Sequence, residues 1–135
     1  MNTRLEQLQS KFETLRIDAF LVTNTVKKRY LTGFDGDGVV LVTASKTYVI
    51  TDSRYETALA ASDHEFDVVI TRYYLEAAAQ LISKQQISVL GFEDSLPFHD
   101  YDQIDELMSS DIVPMTQLIE QMREIKSVDE IKTLK

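Results

Sequence analysis

The chain has no cysteine, no apolar run approaching the roughly 20 residues that cross a bilayer, and no lysine or arginine from Gln85 to Met122. Without cysteine there is no disulfide framework, no thiolate zinc site and no cysteine nucleophile, a composition that suits a reducing compartment. The opening stretch, Met1 to Leu15, interleaves Arg4, Glu6, Lys11 and Glu13 with its apolar residues, so it lacks the continuous apolar core of a signal peptide. These absences predict a soluble, cytoplasmic protein with no membrane partner. The gap in basic residues is filled by eight acids: Glu93, Asp94, Asp100, Asp102, Asp105, Glu106, Asp111 and Glu120. They account for the whole net charge of -8, leaving the rest of the chain neutral. Phosphate backbones reward basic grooves, so an acidic half beside a balanced half excludes nucleic acid as the partner.

What is present fits one compact domain. At 135 residues and 44% hydrophobic the chain buries about two-thirds of its unfolded surface on folding, and needs neither a disulfide nor a metal to hold together. Leu5, Leu8, Phe12 and Leu15 form a helical stripe over 3–16, with Thr3 and Glu6 spaced as a capping box. Residues 17–22 read as a buried strand, and Val26 to Leu31 as a short helix. Beyond Gly33, Gly36 and Gly38, the β-branched runs 39–42 and 47–50 are spaced as a hairpin. Ser53 and Glu56 are spaced to cap a helix through Ala61. A strand over 66–71, a helix over 75–84, a strand over 87–92, a helix over 99–108 and a last strand over 111–115 follow. The helix over 99–108 places Tyr101, Ile104, Leu107 and Met108 on one face. Strands and helices thus alternate after one hairpin, which predicts an α/β domain around a mixed sheet of about six strands with helices on both faces.

The far end carries a different signal. Ile125, Val128, Ile131 and Leu134 recur at helical spacing and Ser127 with Glu130 makes another capping box, so a helix is expected to begin at Ser127 and to be unfinished at Lys135. Its apolar stripe is expected to pack on something else, since each such residue left wet forgoes roughly 1.5–3 kcal/mol of burial.

Three segments in this order and spacing resemble one family. They are Arg29-Tyr30-Leu31-Thr32-Gly33-Phe34 leading into the glycine turn and hairpin, Thr51-Asp52-Ser53-Arg54-Tyr55, and Met122-Arg123-Glu124-Ile125-Lys126-Ser127, with Gly91-Phe92-Glu93 ending the fifth strand. The chain is similar over nearly its whole length to the amino-terminal domain of the creatinase/prolidase family. The resemblance implies a ribonuclease H-like topology, a domain over 1–126, and over 127–135 the start of a helix joining it to a catalytic domain that lies outside this sequence. It also implies that two Asp, one His and two Glu of that other domain hold two divalent metal ions, manganese or cobalt, whose bridging water attacks the bond before proline. No such ligand set is expected here, so this chain alone is expected to have no catalytic residue, metal or cofactor. Its implied partners are its own catalytic domain, a second copy in a homodimer and, for the parent protein, proline-containing peptides.

The same resemblance selects Phe34, Asp35, Asp37, Arg54 and Tyr55 as residues of a loop that shapes the substrate cleft or meets the neighbouring subunit. Read from the residues alone, 34–38 is an acidic turn whose glycines accept positive φ. Its glycine spacing and its exit into a strand do not suit a phosphate cradle, and Lys46 stands where a calcium loop begun at Asp35 needs a bidentate Glu. In the second segment Ser53 is expected to cap, Asp52 to favour the positive end of the helix, and Arg54 to pair with a carboxylate across the sheet. The acids around His99 read as dipole compensation in a first helical turn, His64 as a surface residue, and no Ser or Thr sits in a nucleophile elbow. The alternative reading is a free-standing or degenerate α/β dimerisation or regulatory module without peptidase activity. A phosphorelay receiver is disfavoured within that class because the first strand ends Leu21-Val22-Thr23-Asn24, where acidic ligands belong.

Overall fold

In the computed structural model, residues 3–34, 36–61, 66–93, 98–107 and 111–115 are described. The order of elements is α1 (Thr3–Ser10), α2 (Phe12–Leu15), β1 (Ala19–Val22), α3 (Thr25–Thr32), β2 (Val39–Thr43), β3 (Thr47–Thr51), a 3-10 turn (Ser53–Tyr55) running into α4 (Glu56–Ala61), β4 (Asp67–Ile70), α5 (Tyr74–Lys84), β5 (Val89–Glu93), α6 (Phe98–Leu107) and β6 (Asp111–Met115). The expected helix after Ser127, the domain boundary at 126, His64 and the side chains of His99 and Asp100 lie outside the described residues.

The strands form one sheet in the order β4-β3-β2-β1-β5-β6. β2 runs antiparallel to both β1 and β3, and every other pairing is parallel. β1 lies between β2 and β5 and is buried on both faces, which is why Ala19-Phe20-Leu21-Val22 reads as a continuous apolar run rather than an alternating one. Side-chain alternation sends Phe20, Val22, Val40, Val42 and Val49 to one face, against Leu5, Leu8 and Phe12 of α1 and α2, Leu31 of α3 and Leu59 of α4. Leu21, Leu41 and Ile50 face the other way, against Leu75, Ala78 and Ile82 of α5 and Ile104 of α6. The sheet is therefore mixed, six-stranded and covered by helices on both faces, as the pattern of the sequence predicts.

Three local expectations are corrected. The opening helix is broken at Lys11, whose amide bonds the Leu8 carbonyl at 3.1 Å in a tightened turn, although the apolar stripe continues across the break. Ser53 is not the cap of the fourth helix. Asp52, extended at φ -102 and ψ 176, accepts the Arg54 amide on its side chain and starts the 3-10 turn. On α6 Ile104 is fully buried, but Leu107 is exposed and Met108 lies outside the described residues.

Backbone shape at the glycine turn is set by two positions. Gly33 closes α3 in the left-handed region at φ 83, its amide bonding the Arg29 carbonyl at 2.8 Å. Gly38, at φ 132, enters β2 so close to β3 that a Cβ there would stand 2.1 Å from the Ile50 carbonyl oxygen.

Candidate functional site

Of the residues selected from the sequence, Phe34, Asp37, Arg54 and Tyr55 converge at one end of the sheet, beside the carboxyl ends of β1 and β3. β1 is followed by Thr23 and the amino terminus of α3, β3 by Asp52 and the 3-10 turn, and β4 by the amino terminus of α5. Because β2 is antiparallel, the turn that feeds it reaches this same end. Ligand sites of open α/β sheets favour this edge.

Phe34 is buried and meets Tyr55 edge to face, with ring centroids 5.5 Å apart at 89°. Arg54 lies over the Tyr55 ring at 5.2 Å. Its Nε donates to Asp52 Oδ1 at 2.8 Å, and the same terminal nitrogen donates to Asp52 Oδ2 at 2.7 Å and to Asp37 Oδ2 at 2.9 Å. The tie to Asp37 is the carboxylate pairing expected for Arg54. The Tyr74 hydroxyl also donates a short hydrogen bond to Asp52 Oδ2. First the Arg54 guanidinium and then the Tyr74 hydroxyl hold the Asp52 carboxyl well below the usual carboxylate range, while Asp52 pushes the Tyr74 phenol up. Arg54 and Asp37 are over 60% exposed, so solvent screens their pair, whereas the Asp52 side chain is only 13% exposed. Phe34, Asp37, Arg54 and Tyr55 thus form one cluster, and Asp35 lies outside the described residues.

Sequence reasoning missed Lys28, Tyr74 and Thr51. Lys28 is 1% exposed, and its ammonium donates to the carbonyls of Gly36 at 3.0 Å and Gly38 at 2.7 Å. Burial pushes its pKa down, and Asp37 and Glu93 only partly oppose this. A signal was available: on a 3.6-residue period Lys27 and Lys28 share the inner face of α3 with Leu31, while Val26 lies on the outer face and is 48% exposed. Lys27 pairs at 3.3 Å with Oε2 of Glu93, an ionic contact outside hydrogen-bond geometry. Oε1 of Glu93 accepts the amides of Thr23 at 2.7 Å and Asn24 at 2.8 Å, which joins the end of β5 to the start of α3.

Beside this cluster lies a concavity of about 340 Å³, bounded by Thr23, Thr25, Lys28, Asp37, Gly38 and Tyr74 among others. Its volume is at the lower end of small-ligand sites. Among the described residues no three His, Cys, Asp or Glu side chains converge on a point. Asp37, which lines the concavity, and Asp52 are bridged by the Arg54 guanidinium, and so paired these two carboxylates do not fit a pair of divalent ions. No helix among the described residues is long and apolar enough to cross a membrane.

Comparison with known proteins matches residues 4–125 to the creatinase/prolidase N-terminal domain. An uncharacterized peptidase, YqhT of Bacillus subtilis (strain 168), is 33% identical over 97% of this chain, which spans 38% of that curated relative. The crystal structure of an Xaa-Pro aminopeptidase from Streptococcus pyogenes superposes with a TM-score of 0.83 at 34% identity, covering 88% of this chain and 94% of that one. The N-terminal domain of the cytoplasmic peptidase PepQ from Mycobacterium tuberculosis H37Rv gives 0.83 at 26% identity, covering 90% and 98%.

Proposed function

The chain belongs to the creatinase/prolidase N-terminal domain family, and from that premise we propose that it is the non-catalytic domain of a Xaa-Pro dipeptidase or aminopeptidase, serving dimerisation and shaping the substrate cleft. The observation that carries this reading is the match over residues 4–125 in a chain that spans 38% of its peptidase relative. The remaining length is where two divalent metal ions, manganese or cobalt, and the hydrolytic residues belong. The protein works in the cytoplasm, by analogy with the relative described as a cytoplasmic peptidase.

The part of this chain that meets the cleft or the second subunit is the cluster of Phe34, Asp37, Arg54 and Tyr55, together with Asp35, which follows Phe34 in sequence. Support comes from its chemistry. An exposed guanidinium and an exposed carboxylate stand side by side on a base of two rings packed edge to face, beside a concavity of small-ligand size. Val26 and Tyr73, next in sequence to concavity residues Thr25 and Tyr74, leave apolar surface uncovered at the same end.

The test has two arms. Sequencing the native reading frame beyond Lys135 is expected to find about 200 further residues bearing two Asp, one His and two Glu; a stop codon there favours the free-standing module instead. The 135-residue chain is expected to give no Xaa-Pro hydrolysis with added manganese, and to sediment as a concentration-dependent dimer. Turnover that survives repurification refutes the non-catalytic assignment, and a strictly monomeric profile refutes dimerisation through this chain.

A further inference from the structure

The inner side of the 36–38 turn is held more firmly than a solvent-exposed acidic turn requires. Three consecutive carbonyls are each taken by a core side chain. Those of Gly36 and Gly38 point inward to the Lys28 ammonium, and the carbonyl between them, of Asp37, accepts the Thr51 hydroxyl at 2.5 Å. α3 thus grips the turn at two alternate residues, and β3 takes the one between. On the outer side the Asp37 carboxylate is left to meet Arg54 in solvent.

We propose that Lys28 is a positioning residue: by holding the carbonyls of Gly36 and Gly38 from beneath, it fixes the turn in the one backbone conformation that presents Asp37 to Arg54 at the open end of the sheet. Burying an ammonium is costly unless its protons are bonded, and here the acceptors are main-chain oxygens of the turn rather than a carboxylate. Among the described residues no hydrogen-bonded anion neutralises Lys28; Asp37 and Glu93 act on it through space, and its neighbour Lys27 pairs with Glu93. Leu31, one turn on along the same inner face, shows that an apolar residue packs there without such an expense. The lysine buys one turn conformation. What the turn then does rests on the reading of this end as the contact with cleft or second subunit; the clamp itself does not.

The test uses the whole chain, labelled for NMR, and follows the carbonyl carbon shifts of Gly36 and Gly38 from pH 7 to 11. Both are expected to move together with a midpoint below the ordinary lysine value of about 10.4. In Lys28→Met this common titration disappears. Hydrogen exchange over 34–39 should become at least about tenfold faster, as expected for loss of a hydrogen bond to a charged donor. Exchange in β1 and β5 should change by less than about twofold, since their pairing does not involve the lysine. Lys27→Met, which removes the ammonium paired with Glu93, should leave the common carbonyl titration of Gly36 and Gly38 in place. Carbonyl shifts that stay flat in the wild-type chain overturn the proposal, as does faster exchange spread evenly over the sheet or exchange over 34–39 unchanged in Lys28→Met. Should Lys28→Met fail to fold, the wild-type titration and Thr51→Val, which releases the Asp37 carbonyl, decide the matter. None of these readouts depends on peptidase activity, so a failed peptidase assay and a failed clamp are told apart.

Discussion

Replacing Glu93 by alanine should be among the most damaging single changes in this domain, and the structure gives the size. The side chain is 2% exposed. Its Oε1 accepts two backbone amides and, at 3.2 Å, the Thr23 hydroxyl, while Oε2 stands 3.3 Å from the Lys27 ammonium. Truncation orphans two amides where β1 turns into α3, each costing about 1–3 kcal/mol, and removes one carboxylate from beside the Lys27 ammonium, a loss that reaches about 3–5 kcal/mol in buried pairs. These losses overlap because one carboxylate supplies both. The expected cost is therefore about 4 kcal/mol, a large part of the roughly 5–15 kcal/mol that holds a domain together. With an unfolding entropy of about 2.1 cal/mol/K per residue over this length, the melting temperature should fall by about 14 °C. Glu93→Gln keeps the acceptor for the amides but turns an NH₂ donor toward Lys27, so it should cost about 2 kcal/mol, and Lys27→Met in that background should recover part of the loss. Urea and thermal unfolding followed by far-ultraviolet circular dichroism at pH 7 measure all three. A Glu93→Ala cost below about 1 kcal/mol, or one no larger than that of Glu93→Gln, would refute the reasoning.

Gly38→Ala should destabilise by more than about 3 kcal/mol, because its Cβ would meet the Ile50 carbonyl backbone, whereas Gly33→Ala, with open space at φ 83, should cost only about 1 kcal/mol; thermal melts compare them. The Asp52 carboxyl is held below its unfolded value in the native state, so its contribution is complete above pH about 4 and is lost as pH falls through the depressed value. Asp52→Asn should accordingly flatten the decline of the urea midpoint below pH about 4 and, because Asp52 is what raises the Tyr74 phenol, also flatten the decline above pH about 10. Ile104→Ala, on the buried face of α6, should cost about 2–5 kcal/mol, while Leu107→Ala on the same helix should stay within about 0.5 kcal/mol in denaturant titrations.

The sequence by itself determined the alternation of elements, the β2–β3 hairpin and the family, because these depend on local periodicity, turn chemistry and motif spacing. The apolar run at 19–22 could only be a strand buried on both faces, and Asn24 and Gly33 bracket a helix whatever surrounds it. It did not reveal that Asp52 rather than Ser53 caps the 3-10 turn leading into α4, since both residue types serve and only the extended backbone at Asp52 chooses between them. Nor did it separate Ile104 from Leu107, three residues apart on one helix, because their difference lies in what the sheet covers. The tertiary structure alone decided the site. Lys28, Gly36, Thr51 and Tyr74 are spread over four segments, and their meeting depends on the antiparallel β2 bringing the glycine turn back to the end where β3 stops and α5 begins. In sequence a lysine beside another lysine suggests a wet helix face, and only the carbonyls that fold over it make burial the lower-energy choice.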